Sequence, residues 1–319
     1  MKRLLVILLL PLTTCFAAVK ESDMPYYEVT GVKKNSTLPK NKARIVFHFE
    51  EHSGFCLRNL ITYKINNVQA ADPSLDTLGN YSCNMNAGTY EFEFFATYCN
   101  PIKTKKIELK KQTVVNILVH FHSNMGLIEA DKPVIYLYPT KETNVSVTLD
   151  FKGEMDFSYP VYHTGWNVTA YPGGTLKSGQ NEYGYLFYEG KIDLHNLKTN
   201  YTQGSVVESS KLISFLESSL ASMGLNTKEI ADFVTYWAPR MMKNEKNCVH
   251  FMLTDAYDQI AGIKVVPTPD NVLRVYMLWD AFDPAHPVLM TKQTFIPIKR
   301  EGFTVVEWGG SEININPNN

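Results

Sequence analysis

Lys132-Pro-Val-Ile-Tyr-Leu-Tyr-Pro139 divides the chain. It is an apolar run closed at both ends by proline, and it stands where the pattern changes. Before it the periodicity is only β-like; after it come β-like runs, two helix-like runs and all four tryptophans. Strand alternation places Tyr136 and Tyr138 on one face and Ile135 and Leu137 on the other. The stretch therefore reads as a buried or sheet-paired strand with a structural role, opening a second domain.

Upstream, Arg44-Ile-Val-Phe-His-Phe-Glu50 puts Ile45, Phe47 and Phe49 on one face. Leu60 to Ile65, Ala87 to Phe95, Thr104 to Leu109 and Thr113 to His122 follow as further strand candidates, with Tyr90, Phe92 and Phe94 alternating with glutamates. Short strands at close spacing without a convincing helix predict a β-sandwich over residues 43–124. Residues 19–42 have no sustained period and read as a lead-in segment, partly extended. Ser123-Asn-Met-Gly126 is a turn-like break, which sets the boundary between Asn124 and Lys132.

Downstream, Asn144 to Phe151 alternates strictly, and Trp166 to Tyr171 leads into a Pro172-Gly-Gly-Thr175 turn. From Val207 to Met223 the apolar residues fit a helix of period 3.6 ended by Gly224. A second helix begins at an Asn226 or Thr227 cap with Ile230, Phe233, Val234 and Trp237 on its buried stripe. Pro239 should end or kink it, leaving Arg240 and Lys243 beyond. Strands resume at Cys248 to Leu253, Gly262 to Val266, Asn271 to Trp279 and Phe303 to Glu307. The fold class is mainly β: an N-terminal β-sandwich, then an α+β domain over 132–319 with antiparallel sheet and a pair of helices on one side.

The Ala87-Gly-Thr-Tyr-Glu-Phe-Glu-Phe run resembles a late strand of small immunoglobulin-like and prealbumin-like sandwich domains. That resemblance implies that the strand ending near Tyr98 runs antiparallel to one beginning near Leu57. It brings Cys99 close to Cys56, predicting that disulfide, with Cys83 and Cys248 free or bridging the domains. A second resemblance rests on Lys132 to Pro139, Tyr185-Leu-Phe-Tyr-Glu189, Phe233-Val-Thr-Tyr-Trp-Ala-Pro239, Leu273-Arg-Val-Tyr-Met277 and Phe303-Thr-Val-Val-Glu-Trp-Gly-Gly310. Together these blocks resemble a family of exported bacterial and fungal proteins without an assigned activity. They span residues 132–312 and transfer no catalytic residue.

Residues 1–18, with basic Lys2 and Arg3, the apolar Leu4 to Leu10 and a small-residue end, form a secretory signal pattern. Leu12-Thr-Thr-Cys15 resembles a lipobox, but Thr14 stands where that motif has Gly, Ala or Ser. A soluble secreted or periplasmic protein therefore ranks above a lipid-anchored one. No later run reaches the roughly 20 apolar residues of a membrane span. Losing Lys2 and Arg3 moves the net charge from −1 to about −3, a balance that recommends neither nucleic acid nor an anionic membrane as partner.

Trp237, Arg240, Glu307 and Trp308 are the first candidates for a binding surface. Aromatic faces with a fixed cation and a carboxylate suit a sugar, a peptide terminus or a small anion. The alternative for the tryptophans is burial in the core. Glu182, Glu189, Asp280 and Asp283 could include an acid/base pair for glycoside hydrolysis, and His163 or His250 could join a hydroxyl. His120 and His122 share a strand face near His48 and His52, but no third metal ligand accompanies them, and neither metal nor cofactor is expected. There is no Gly-x-Ser-x-Gly elbow, phosphate loop or dinucleotide fingerprint. The expected function is a binding or interaction protein, possible ligands being carbohydrate or peptide, as in a secreted effector. The alternative is an exported hydrolase of glycan or peptide acting in the second domain.

Overall fold

The computed structural model describes residues 27–51, 62–69, 74–75, 81–96, 99–121, 127–193, 203–284 and 290–313. The signal pattern at 1–18 lies outside them.

The N-terminal unit is built from β1 (Tyr27–Lys34), β2 (Lys42–Glu51), β3 (Thr62–Ile65), β4 (Val68–Gln69), β5 (Ser74–Leu75), β6 (Tyr81–Asn86), β7 (Gly88–Tyr90), β8 (Phe92–Phe95), β9 (Ile102–Lys103), β10 (Ile107–Leu109) and β11 (Thr113–Phe121). One sheet has the order β1-β11-β2-β6-β5; facing it are β4-β3-β8-β9 and the β10-β7 pair. Ile45, Phe47 and Phe49 of β2 and Val115, Ile117, Val119 and Phe121 of β11 all point into the space between. Phe47 fills its centre, meeting Tyr63, Phe92 and Phe94 edge-on at 5.4, 5.2 and 4.8 Å. This is the expected sandwich, including the antiparallel β3/β8 pair. Within the segment read as a partly extended lead-in, β1 is an edge strand exposed along most of its length, which is why it carries no apolar alternation. The central β2/β11 pair is parallel.

The C-terminal unit contains β12 (Leu127–Tyr138), β13 (Thr143–Phe151), β14 (Gly153–Tyr159), β15 (Trp166–Ala170), β16 (Leu176–Ser178), β17 (Asn181–Tyr183), β18 (Leu186–Asp193), β19 (Ser205–Glu208), α1 (Leu212–Met223), α2 (Thr227–Met241), β20 (Lys246–Leu253), α3 (Thr254–Tyr257), β21 (Ala261–Val266), β22 (Asn271–Ala281) and β23 (Thr304–Glu312). A seven-stranded sheet runs β14-β18-β12-β23-β22-β20-β19, and a five-stranded sheet runs β17-β16-β15-β13-β21. Ile135 and Leu137 join the core between the two sheets, whereas Val134 and Tyr136 join the core beneath the helices. The layers are thus helices, large sheet, small sheet. Pairing is antiparallel except at β22/β23.

The proline-bounded stretch is the buried end of β12, paired on both sides. The strand starts earlier than expected, at Leu127, and its register breaks between Ala130 and Val134, where Lys132 takes φ +50°. Asn226 caps α2 in a capping box with Glu229. Val207 belongs to β19, so α1 starts only after a 3-10 turn at Ser209–Lys211. Pro239 does not end α2, which runs on to Met241 and carries Arg240 in its last turn. A proline that close to a helix end removes only one bond from a turn already short of partners.

Between the sheets sits a buried ionic cluster. Arg274 and Glu307 lie side by side in the parallel β22/β23 pair, both fully buried, with Nε to Oε2 at 2.6 Å. Arg274 also donates to Asp258 and the Ala261 carbonyl and lies 4.2 Å from the Tyr257 ring centre. Tyr188 Oη donates to Glu307 Oε1 at 2.7 Å. Every charge has its partners, so losing one member strands the other. Arg274→Met is expected to destabilise the fold by about 3–5 kcal/mol, and Arg274→Met/Glu307→Leu to regain most of that loss. Chemical denaturation of the three proteins checks this; a double variant as unstable as the single would contradict it.

Candidate functional site

Of the residues expected to form a binding surface, Trp237 and Trp308 are fully buried under α2, with Phe233 6.2 Å from the first ring and 5.1 Å from the second. Glu307 precedes Trp308 in the same strand, so it faces the opposite layer and enters the Arg274 cluster. Arg240 is exposed, its guanidinium 3.7 Å from the Tyr236 ring centre. The sheet itself separates Glu307 from the other three, and the four do not converge.

The remaining candidates are also dispersed. Glu182 is on the small sheet, 3.1 Å from Lys177, while Glu189 is on the large one. Asp280 pairs across strands with Cys248 at the far side of that sheet, and Asp283 lies just beyond it. His163 is exposed with φ +40°. His250 is buried, its Nδ1 2.6 Å from the Gln203 carbonyl oxygen. In the sandwich His48 lies 3.3 Å from Asn116 and His120 lies 3.2 Å from Glu50, whereas His52 and His122 fall outside the described residues. Among the described residues no group of three His, Cys, Asp or Glu could hold a metal ion. Cys83 and Cys248 are free thiols. Cys99 is disulfide-bonded, and Cys56, its expected partner, lies outside the described residues.

A different set of residues does share one surface. α2 lies along β12: Tyr136 Oη donates to Asp232 at 2.9 Å, and Lys132 Nζ lies 4.7 Å from the Tyr236 ring centre. α1 lies over β20, with Phe215 6.4 Å from Phe251. Past α2 the same sheet face continues as a shelf onto β18, whose Phe187 is half-buried against the core beneath the helices, and then onto the exposed rings of β14. Tyr185 precedes β18, and Phe187 and Glu189 follow it at strand spacing on this face, while β14 adds Phe157 and Tyr159 through the pairs Phe157 to Glu189 and Tyr159 to Phe187. Phe157 is 52% exposed and Tyr159 56%, unusual for neighbouring large rings. Ring contacts tie the shelf together: Tyr136 to Tyr185 at 5.6 Å, Phe157 to Phe187 at 5.9 Å and Tyr159 to Tyr183 at 5.2 Å. Lys228 sits 4.9 Å from the Tyr136 ring centre and 6.0 Å from that of Tyr185.

The shelf ends at a polar corner beside the last turn of α2. Glu129 and Asp131 of β12 alternate with Ile128 and Ala130, which face the inter-sheet core, so both carboxylates lie on the helix face. Glu189 of β18 and Glu312 of β23 join them from the neighbouring strands, opposite Arg240 and Tyr236. Burial first, then Glu129, Glu189 and Glu312, push the Asp131 carboxyl up to about 6 against the pull of Arg240. Burial lowers the Lys132 ammonium. Lys132 holds its positive φ at this corner, and backbone strain of this kind collects at functional sites.

No family model matches the sequence, and no solved structure does. One curated relative, described as an uncharacterised protein in the bglA 3′ region of Butyrivibrio fibrisolvens, is 44% identical over 62 residues, 18% of this chain. The chain spans 65% of that relative's length.

Asp131 takes up its proton at about pH 6 in the folded chain, against an ordinary value of 3.8. Its contribution to stability is therefore full below about pH 3.8 and lost as the pH rises through 6. Asp131→Asn should raise Tm at pH 7.5, by an amount that vanishes on acidification to about pH 4. Scanning calorimetry at the two pH values checks this, and a pH-independent difference would contradict it.

Proposed function

We propose that the chain is an exported binding protein that holds carbohydrate against the aromatic shelf. The observation that carries this is the pair of exposed rings, Phe157 and Tyr159, continuing a sheet face on which Tyr185 and Phe187 are only half-buried. Exposed planar rings stack on the apolar faces of sugar rings, and the charged groups beside them, Lys228 and Asp232 at one end and Asp131 and Glu189 at the other, suit hydroxyls. A folded apolar core has no use for two large rings in water, so an occupant accounts for them better than packing does. Export rests on the pattern at residues 1–18 and on the resemblance of the five blocks between 132 and 312 to exported proteins. A Cys56 to Cys99 bridge belongs to the same reading, since an oxidising compartment sustains disulfides. Among the described residues no helix is long and apolar enough to cross a membrane, which says nothing of a β-barrel.

Affinity electrophoresis through gels containing xylan, laminarin, amylose or carboxymethylcellulose tests the reading. At least one polysaccharide should retard the protein. Phe157→Ala and Tyr159→Ala should each weaken that retardation by about five- to tenfold, equivalent to roughly 1–1.5 kcal/mol per ring. Migration unaffected by all four polysaccharides, or a double variant retarded like the parent, would overturn it.

A further inference from the structure

We propose that the end of the sandwich formed by the β1–β2 and β10–β11 turns is a second binding surface, one that takes an acidic polysaccharide. The near-neutral balance of the whole chain hides it. Segments 29–49, 77–90 and 109–126 supply most of the sheet β1-β11-β2-β6-β5 and its turns, and they carry seven Lys and Arg residues and no Asp or Glu. An even scatter of the chain's 31 basic and 32 acidic residues would have put several carboxylates among them.

Strand register gathers these cations at one end. Lys33 of β1, Val114 of β11 and Arg44 of β2 stand opposite one another across three strands. The inward positions there belong to Ile45, Phe47, Val115 and Ile117, so Lys33, Arg44 and, two residues before it, Lys42 share the outer face of the sheet. From strand spacing and rise, Lys33 and Lys42 each lie within about 10 Å of Arg44 at the backbone. Lys34, Lys40, Lys110 and Lys111 rim the same end, all exposed. Among the described residues none of the seven forms an ion pair. The acids of the sheet, Glu28 and Glu50, lie toward the opposite ends of β1 and β2, where Glu50 is 3.2 Å from His120.

The turns that carry the rim are fixed to each other. Gln112, at φ +53°, donates its backbone N–H to the Lys42 carbonyl and accepts from the Asn35 N–H, both at 2.7 Å. Its side-chain amide donates to the carbonyls of Ser36 and Leu38 at 3.2 and 3.0 Å. One residue thus ties the Lys110–Lys111 turn to the turn that bears Lys40, and charges on an ordered frame lose less freedom on binding. Lysines on an edge strand can serve only to discourage strand pairing. That purpose does not extend to Lys42 and Arg44, on an interior strand, or to Lys40, Lys110 and Lys111, on turns.

Chemistry selects the occupant. Neither 33–44 nor 110–114 contains an aromatic ring, and Leu38 is buried. This end therefore has no wedge to enter a lipid interface and no platform on which bases stack. Beside the charges stand exposed Ser36, Thr37 and Asn41, short polar groups suited to hydroxyls. A hydrated sugar chain bearing carboxylate or sulfate groups matches both, and lysine attracts such anions as a compact point charge without demanding a bidentate geometry.

The test measures binding of the full-length protein to immobilised polygalacturonate and dextran sulfate at pH 7.5, from 50 to 300 mM NaCl, with phosphatidylglycerol vesicles in the same buffers. At least one polysaccharide should bind at 50 mM and release the protein as salt screens the exposed charges. Lys33→Glu/Arg44→Glu should weaken binding at 50 mM by about tenfold, and so should Lys110→Glu/Lys111→Glu, whose turn positions leave the core untouched. Retardation by a neutral polysaccharide on the shelf does not involve these cations, so the two readings fail separately. Absence of binding to either acidic polysaccharide at 50 mM, or both double variants binding like the parent, overturns the proposal. Binding to the vesicles without binding to either polysaccharide overturns it as well.

Discussion

The large sheet of the C-terminal unit is wider than the pair of helices that covers it. Its central strands, β12, β23 and β22, are buried on both faces, and their sequences are accordingly apolar with little of the alternation a one-sided sheet would show. The inner face is closed by the small sheet. The outer face is closed only as far as α2 reaches, and α2 is fixed over β12 by Tyr136 to Asp232 and by Glu229, whose carboxylate binds Arg300 at 2.8 and 3.0 Å and completes the cap at Asn226. Beyond α2, Phe187 of β18 is half-buried and Phe157 and Tyr159 of β14 are exposed.

The two faces of β23 serve different purposes. Glu307 looks inward, to a fully partnered ionic cluster between the sheets; Trp308 looks outward, to the core under α2. Buried and satisfied, Arg274 and Glu307 behave as structure. The carboxylates at the corner are the opposite case: Asp131 is partly buried among three other acids with one cation nearby.

Much of the architecture was legible in the sequence because its signals are local. Two prolines and an apolar run mark β12, period and caps mark α1 and α2, and the alternation of Ile45, Phe47 and Phe49 marks β2. What was not legible depends on partners distant in the chain. The parallel pairings of β2 with β11 and β22 with β23 leave no local trace, and β1, mostly exposed, has no alternation to read. For the site, Trp237 and Trp308 were natural candidates, but the residue type does not say whether a tryptophan is core or surface. Glu307 could have been separated from Trp308 by alternation alone. Glu189 was among the candidate acids; Asp131, adjoining the stretch that divides the chain, was missed because its surroundings come from β18, β23 and α2. The alternation of Tyr185, Phe187 and Glu189 was the available signal for the shelf.

The central claim is that the uncovered sheet face is where the ligand sits. Hydroxyl-radical footprinting of the full-length protein, with and without a polysaccharide that retards it in gels, addresses it most directly. The account predicts that Phe157, Tyr159 and Tyr185 are oxidised in the free protein and protected in the bound one, while buried Trp237 and Trp308 are unchanged. Protection elsewhere, with Phe157 and Tyr159 oxidised equally in both states, would contradict it.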